Sequence, residues 1–148
     1  HYGGSYQSFL EDFFRRPAMS KPSDDDLILT YGVAACFSAT DDGEVQLPFD
    51  VDSGRLIPEV WQRWLDWDPV RMVPQHAEAL RAQRAIWLDA GRNDEWFLDL
   101  GMRAFAKELE AIGIIDAHVE LFDGKHGGID YRYPLSLAYL SQRLAPPE

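Results

Sequence analysis

Asp94 and His126 each stand in a loop directly after a short apolar segment that is typical of a β-strand. A helical segment separates the two strands, and such a strand–helix–strand unit places its strands in parallel, so that both loops leave the same edge of the sheet. Ligands of open α/β sheets bind at that edge. A carboxylate that holds one ring nitrogen of a histidine leaves the other nitrogen to act as a general base. The spacing therefore predicts an acid–base pair.

Two alternatives to this pair stay open at the level of sequence. Asp94 also stands where a residue can cap the following helix, next to the favourable first-turn charge of Glu95, and His126 lies among glycines that are typical of a plain turn. Asp89 competes for the role of the acid, but it lies inside the strand, where the pleat sets its direction. We favour Asp94 because it lies in the loop beyond Gly91.

Hydrophobic periodicity predicts the elements that must position the pair. The predicted fold class is α/β: a mainly helical, cap-like region over residues 1–83, and a β-α-β-α unit over residues 84–148 that carries Asp94 and His126. In the second region we expect strands over 85–90 and 117–122, a helix over 95–112 that ends at Gly113, and a final helix over 133–144.

The first region is predicted from its caps and turns. We expect a helix over 6–16 capped by Ser5, a largely buried helix over 27–39 that follows a capping box of Ser23 and Asp26, and a polar turn between two extended arms near 44–57. The turn superficially resembles a calcium loop, but its glycine and its last ligand position do not match one.

Three tryptophans follow in the next predicted helix. Trp61, Trp64 and Trp67 have i, i+3, i+6 spacing, which aligns them as one aromatic ridge. Such a ridge usually packs in a core, and it is also suited to line the pocket of an acyl or aryl group. Both interpretations stay open, and we include the three residues as candidate substrate-pocket residues.

Composition excludes several classes of function. The net charge of −11 over 148 residues and the lack of a basic stripe argue against binding to nucleic acid. Cys36 is the single cysteine and is expected to be buried, and the four histidines show no ligand spacing, so we expect neither a metal site nor a cofactor. No apolar run is long enough to span a membrane, which leads us to expect a cytoplasmic protein.

Much of the chain, about residues 56–144, resembles the C-terminal half of α/β-hydrolase-fold esterases of the group that includes esterase D, feruloyl esterases and mycolyltransferases. The similar residues are Ile-Trp-Leu-Asp-Ala-Gly-Arg-Asn-Asp-Glu over 86–95, Leu-Asp-Leu over 98–100, Phe105, Leu109, Glu-Leu-Phe-Asp-Gly-Lys-His-Gly-Gly over 120–128 and Tyr-Arg-Tyr-Pro over 131–134. The resemblance implies a carboxylic ester hydrolase with a small-molecule ester as substrate. It also implies that Asp94 is the acid and His126 the base of a serine–acid–histidine triad.

The chain departs from that family because it contains no Gly-x-Ser-x-Gly motif. We therefore expect the chain to be the C-terminal part of a longer esterase whose serine and oxyanion hole precede His1, and to be inactive alone. Two strands make no stable sheet by themselves, so an N-terminal half or a partner chain is needed to complete the sheet. The alternative is a non-catalytic binding or assembly module that dimerises through its exposed sheet edges.

Overall fold

The computed structural model describes residues 2–17 and 19–145 and divides the chain into two compact units, with the boundary between Asp68 and Pro69. The segment 69–83, which was predicted to belong to the helical region, lies in the second unit. Its Val73 is buried against Leu109 and Ile114 in the core of that unit, which explains the earlier boundary. No helix in the described ranges has the length and hydrophobicity to cross a bilayer.

The first unit consists of helices and short extended segments. After a 3-10 turn at Tyr2–Gly4, its helices are α1 (Tyr6–Arg15), α2 (Asp24–Ser38) and α3 (Pro58–Asp66). The predicted cap of α1 is confirmed, since the Ser5 hydroxyl accepts a hydrogen bond from the Ser8 amide at 3.1 Å. In the region of the predicted turn, an isolated antiparallel bridge pairs Phe49 with Leu56, and another bridge, between Ala39 and Val45, encloses a separate turn before it.

Two predictions for α2 are wrong. Ser23 makes no side-chain cap, because the acidic start of α2 is organised by Asp24 instead. The helix is also not largely buried: Ala34 and Ser38 are buried, whereas Leu29, Cys36 and Phe37 are exposed. A helix that is apolar all round needs neighbours on every side, and in the first unit α2 packs mainly on α3.

Asp24 anchors the start of α2 to the end of α1. Its carboxylate is 1% exposed. It accepts hydrogen bonds from both terminal nitrogens of the Arg16 guanidinium, at 2.5 and 2.7 Å, and from the backbone amides of Ser20 and Lys21, each at 2.9 Å. These hydrogen bonds hold the pKa of Asp24 well below its ordinary value, and the bonds from Arg16 contribute most to this shift. Nearby, hydrogen bonds from Lys21 and Tyr2 lower the pKa of Asp12 to about 2.

These two carboxylates should make the first unit sensitive to acid. A carboxyl group whose pKa is lower in the folded than in the unfolded state stabilises the fold above its unfolded pKa, which is 3.8 here, and loses that contribution as the pH falls towards the folded value. We expect α1 and α2 to unfold at lower urea concentrations as the pH is lowered from 4 to about 2. Hydrogen exchange of peptides from both helices, recorded at increasing urea concentration, measures this resistance. The Asp24→Asn variant should lose resistance already at neutral pH and show a weaker pH dependence. The exposed Asp25→Asn change serves as the matched control, and an equal pH dependence in all three proteins would contradict the argument.

The second unit is a mixed α/β structure around a small parallel sheet. Its elements are α4 (Pro69–Met72), a 3-10 turn (Val73–His76), α5 (Ala77–Arg81), β1 (Trp87–Gly91), α6 (Leu98–Ala111), β2 (His118–Phe122), a 3-10 turn (Asp130–Arg132) and α7 (Tyr133–Leu144). The predicted parallel pairing is confirmed, with Trp87 opposite His118 and Gly91 opposite Phe122. From β1 onwards, the strands and α-helices follow the predicted order of strand, helix, strand and helix.

The ends of α6 are set by local hydrogen bonds. Gly113 terminates the helix as predicted: it has a φ of +86°, and the amide of Ile114 bonds back to the carbonyl of Leu109 at 2.9 Å. The helix begins at Leu98 and not at residue 95, because the backbone at Phe97 is left-handed, with a φ of 59°. Residues 94–97 therefore form a turn that joins the end of β1 to α6.

Candidate acid–histidine site

The site lies where both parallel strands end. Gly91 and Phe122 are opposite each other as the last residues of β1 and β2, and Asp94 and His126 follow them within a few residues. Parallel strands release their following loops on one edge of the sheet, so the two side chains arise side by side. The predicted meeting of Asp94 with His126 is therefore found in the geometry of the second unit.

Backbone hydrogen bonds join the two loops before the side chains meet. The amide of Arg92 donates to the Phe122 carbonyl at 2.9 Å, and the amide of Asn93 donates to the Gly124 carbonyl at 3.0 Å. A Cβ atom at Gly91 would lie only 2.5 Å from the Gly124 oxygen. Position 91 therefore requires glycine for this close approach, which holds the two loops at a fixed separation.

The side chains of Asp94 and His126 are in direct contact. Nδ1 of His126 lies 3.2 Å from Oδ2 of Asp94; the carboxylate side chain is 4% exposed, whereas the imidazole is 49% exposed. A carboxylate is only an acceptor, so this contact assigns the proton to Nδ1 and makes Nε2 the acceptor nitrogen. Within residues 2–17 and 19–145, Nε2 has no hydrogen-bond partner. The arrangement leaves a basic nitrogen accessible to a reacting group.

The second oxygen of Asp94 is held by the turn before α6. Oδ1 accepts hydrogen bonds from the amides of Trp96 at 2.8 Å and Leu98 at 3.4 Å. Burial acts to raise the pKa of Asp94, but these backbone bonds and the contact with His126 outweigh it, so the pKa lies below its ordinary value. Asp94 is thus ionised at neutral pH. It combines the two roles that the sequence left open, since it organises the helix start and binds the histidine.

Asp89 is committed to a different partner. Its Oδ2 accepts a hydrogen bond from Nε of Arg132 at 2.9 Å, and the same guanidinium bonds Glu120 through Nη2 at 2.6 Å. Asp89 and Glu120 are opposite each other on adjacent strands, so they present a pair of acids to the buried Arg132. Asp89 therefore ties the sheet to the segment before α7, and Asp94 is the acid that reaches His126.

Three of the described serines donate their hydroxyl hydrogen bonds to backbone carbonyls and not to His126. Ser136 and Ser141 donate to carbonyls of their own helix, Tyr133 and Ala138 respectively, and Ser38 donates to Ala34 and Gln46 in the first unit. No serine within the described ranges hydrogen-bonds to His126. In the structure, the pair thus occurs without a bonded nucleophile.

The three tryptophans do not form one ridge. Trp61 and Trp64 lie on α3 with their ring centroids 6.0 Å apart, and Nε1 of Trp64 donates to the Ser38 hydroxyl at 2.9 Å. Trp67 lies beyond the end of α3 and is 59% exposed. Trp67 does not continue the helix, because α3 ends at Asp66 and the residue before Pro69 is disfavoured in a helical conformation. The pocket role of the three tryptophans stays a prediction. For Trp64 the contacts within the first unit are those of packing.

Two residues had no predicted contact in this part of the fold: Arg132, which binds the sheet, and Glu95, which binds the main chain of His126. Arg132 lies in the Tyr-Arg-Tyr-Pro segment but carried no predicted role, and Glu95 was interpreted only as a favourable charge at the start of a helix. In the structure, a carboxylate oxygen of Glu95 accepts a hydrogen bond from the backbone amide of His126 at 3.2 Å. The adjacency of two acids, Asp94 and Glu95, was the one signal that could have indicated it.

The described residues contain no group of three histidine, cysteine or acidic side chains that could hold a metal ion. His118, for instance, lies 3.2 Å from a Glu120 oxygen and stacks on Trp87.

In comparisons with known proteins, no family model matches the chain, and no curated protein is significantly similar to it.

Proposed function

We propose that this chain supplies the acid and the histidine of a serine-dependent carboxylic ester hydrolase of α/β-hydrolase fold. The observation that carries the proposal is the contact between His126 Nδ1 and the buried, ionised Asp94 at the common end of two parallel strands. The serine and the oxyanion hole belong, in this proposal, to a polypeptide segment that precedes His1. The substrate is a small ester, and neither nucleic acid nor a membrane takes part.

The proposed reaction uses His126 twice. The serine oxygen attacks the ester carbonyl while Nε2 of His126 accepts the serine proton, and the tetrahedral intermediate collapses when His126 returns that proton to the departing alcohol. Water then attacks the acyl-serine with His126 as base again, releasing the carboxylic acid and restoring the serine. Asp94 stays ionised throughout and stabilises the imidazolium that forms in each step.

The unfinished sheet supports the need for further polypeptide. In the described part of the chain the sheet consists of β1 and β2 alone, so each strand has one unpaired edge. Val119 on β2 is 47% exposed, and Trp96 and Phe97 beside the site are also exposed. Unpaired edges and exposed apolar side chains are costly in an isolated domain. An N-terminal half that pairs with β1 would cover such surfaces.

Covalent labelling tests the proposal directly. A fluorophosphonate forms a bond from its phosphorus to the oxygen of an activated serine and releases fluoride. We expect the longer polypeptide that contains this chain to hydrolyse short nitrophenyl esters and to be labelled on a single serine N-terminal to His1, identified by peptide mass spectrometry. The 148-residue chain alone should be neither active nor labelled. Heat-denatured protein is the control, and a longer polypeptide with no turnover and no label would overturn the proposal.

The same unpaired edges favour a second candidate, a non-catalytic module that dimerises through β1 or β2. This candidate accounts for the unpaired sheet edges without a missing N-terminal half, but it gives no role to the contact between the buried Asp94 carboxylate and His126. An inert protein that forms a tight symmetric dimer with strands continuous between the two copies would favour this candidate over the esterase.

A further inference from the structure

His126 is held at two different atoms by two consecutive acids. Asp94 contacts the ring at Nδ1, and Glu95 accepts a hydrogen bond from the backbone amide of the same residue through Oε2, each at 3.2 Å. The two acids lie in one turn, which the Asp94 carboxylate itself organises. The turn before α6 thus fixes both the imidazole and the main chain that carries it.

The loop that carries His126 needs such an anchor. It contains Gly124, Gly127 and Gly128, the last with a φ of +70°, so its backbone has more conformational freedom than that of most loops. The imidazole is half exposed and is oriented by one contact with Asp94. The Asn93 amide bonds the carbonyl of Gly124 and so fixes the start of the loop. If the rest of the loop were held only at the tip of the His126 side chain, the ring could leave its carboxylate.

The charge of Glu95 strengthens the bond it accepts. Hydrogen bonds from backbone amides, those of Glu95 itself and of His126, lower the pKa of this carboxyl group below its ordinary value, so it is ionised at neutral pH. A hydrogen bond from an amide to an ionised carboxylate is stronger than one to a neutral acceptor. Glu95 is therefore suited to hold the backbone of the loop.

We propose that Glu95 is a positioning residue: it fixes the main chain of His126 so that the imidazole stays on Asp94 with Nε2 directed outward. The catalytic consequence rests on the proposed ester hydrolysis. The placement of the imidazole does not, and it can be measured in a protein of any activity.

Kinetics give the first test, in the longer polypeptide. We expect Glu95→Ala to lower kcat by about 10- to 100-fold with little change in KM, because a misplaced base weakens the transition state and not substrate binding. Glu95→Gln keeps an acceptor oxygen and should restore most of the activity. The matched control is Glu110→Ala, which removes an exposed glutamate from α6. If alanine prevents folding, Glu95→Asp replaces it, since it keeps the charge and shortens the reach by one methylene.

Nitrogen-15 spectra of the histidine rings give the second test and separate the two proposals. We expect wild-type His126 to show protonated Nδ1, and Glu95→Ala to show a mixture of tautomers that Glu95→Gln reverses; His126→Gln assigns the signal. If the wild type has no esterase activity but the spectra change as described, the esterase fails and the positioning role stands. An unchanged His126 spectrum in Glu95→Ala, or equal losses in the Ala and Gln variants, would overturn the role of Glu95.

Discussion

In the proposed reaction, replacing His126 with glutamine should lower the kcat of ester hydrolysis by the longer polypeptide by about 10⁶-fold, as loss of the histidine does in a serine protease. The reason lies in the geometry of the pair. Nε2 is the nitrogen left open by the Nδ1 contact with Asp94, and no other imidazole in the described residues is bound to a buried acid at the end of the sheet. Without His126, the proposed reaction has no acceptor for the serine proton and no donor for the leaving alcohol.

The measurement is the steady-state rate on nitrophenyl acetate, together with the rate of fluorophosphonate labelling. His76→Gln is the matched control, because His76 is an exposed histidine of the same unit. It should leave both rates unchanged. A His126→Gln enzyme that turns over at the wild-type rate would remove His126 from the mechanism and with it the proposed function.

Replacing Asp94 with asparagine should lower kcat by about 10⁴-fold, the loss known for the corresponding change in a serine protease triad. An asparagine can turn its amide NH₂ towards Nδ1, which makes Nδ1 an acceptor and places the proton on Nε2. That tautomer cannot take the serine proton. The bonds that Asp94 accepts from the amides of Trp96 and Leu98 can persist to the asparagine oxygen, so the turn itself should survive.

Asp89→Asn is the matched control for this prediction. It changes the other acid that the sequence offered, one that bonds Arg132 and not His126. We expect a lower midpoint of thermal unfolding with kcat within a few-fold of wild type, whereas Asp94→Asn should lose kcat and keep most of its stability. The reverse pattern, with activity lost in Asp89→Asn alone, would show that the acid was assigned to the wrong residue.

The order of elements in the second unit could be predicted from sequence because each signal is local. Periodicity marks the strands and α6, Gly113 supplies the left-handed residue at the end of that helix, and a strand–helix–strand connection fixes the parallel pairing. Once the strands are parallel, the placement of Asp94 and His126 on one edge follows from where the strands end. The ester-hydrolase function remains a proposal that rests on this pair and on the resemblance.

Other features depend on contacts between residues far apart in sequence. The apolar pattern of α2 does not reveal which neighbours cover it, so Leu29 and Cys36 are exposed where burial was expected. By contrast, the end of α3 at Asp66, one residue before Trp67, has the local cause of the nearby Asp68-Pro69 pair.

The site also combines features that local sequence predicts with contacts that only the tertiary structure supplies. Sequence placed both Asp89 and Asp94 near the end of β1 and favoured Asp94 because it lies in the loop. Tertiary structure supplies the partner of each acid, His126 for Asp94 and Arg132, 43 residues further along the chain, for Asp89. Glu95 bonds the His126 amide across 31 residues of chain. Sequence patterns carry the period and direction of each element, because these depend on neighbouring residues. The partner of each buried charge is decided by tertiary structure, because a charge removed from water is stable only where the fold brings a complementary group to it.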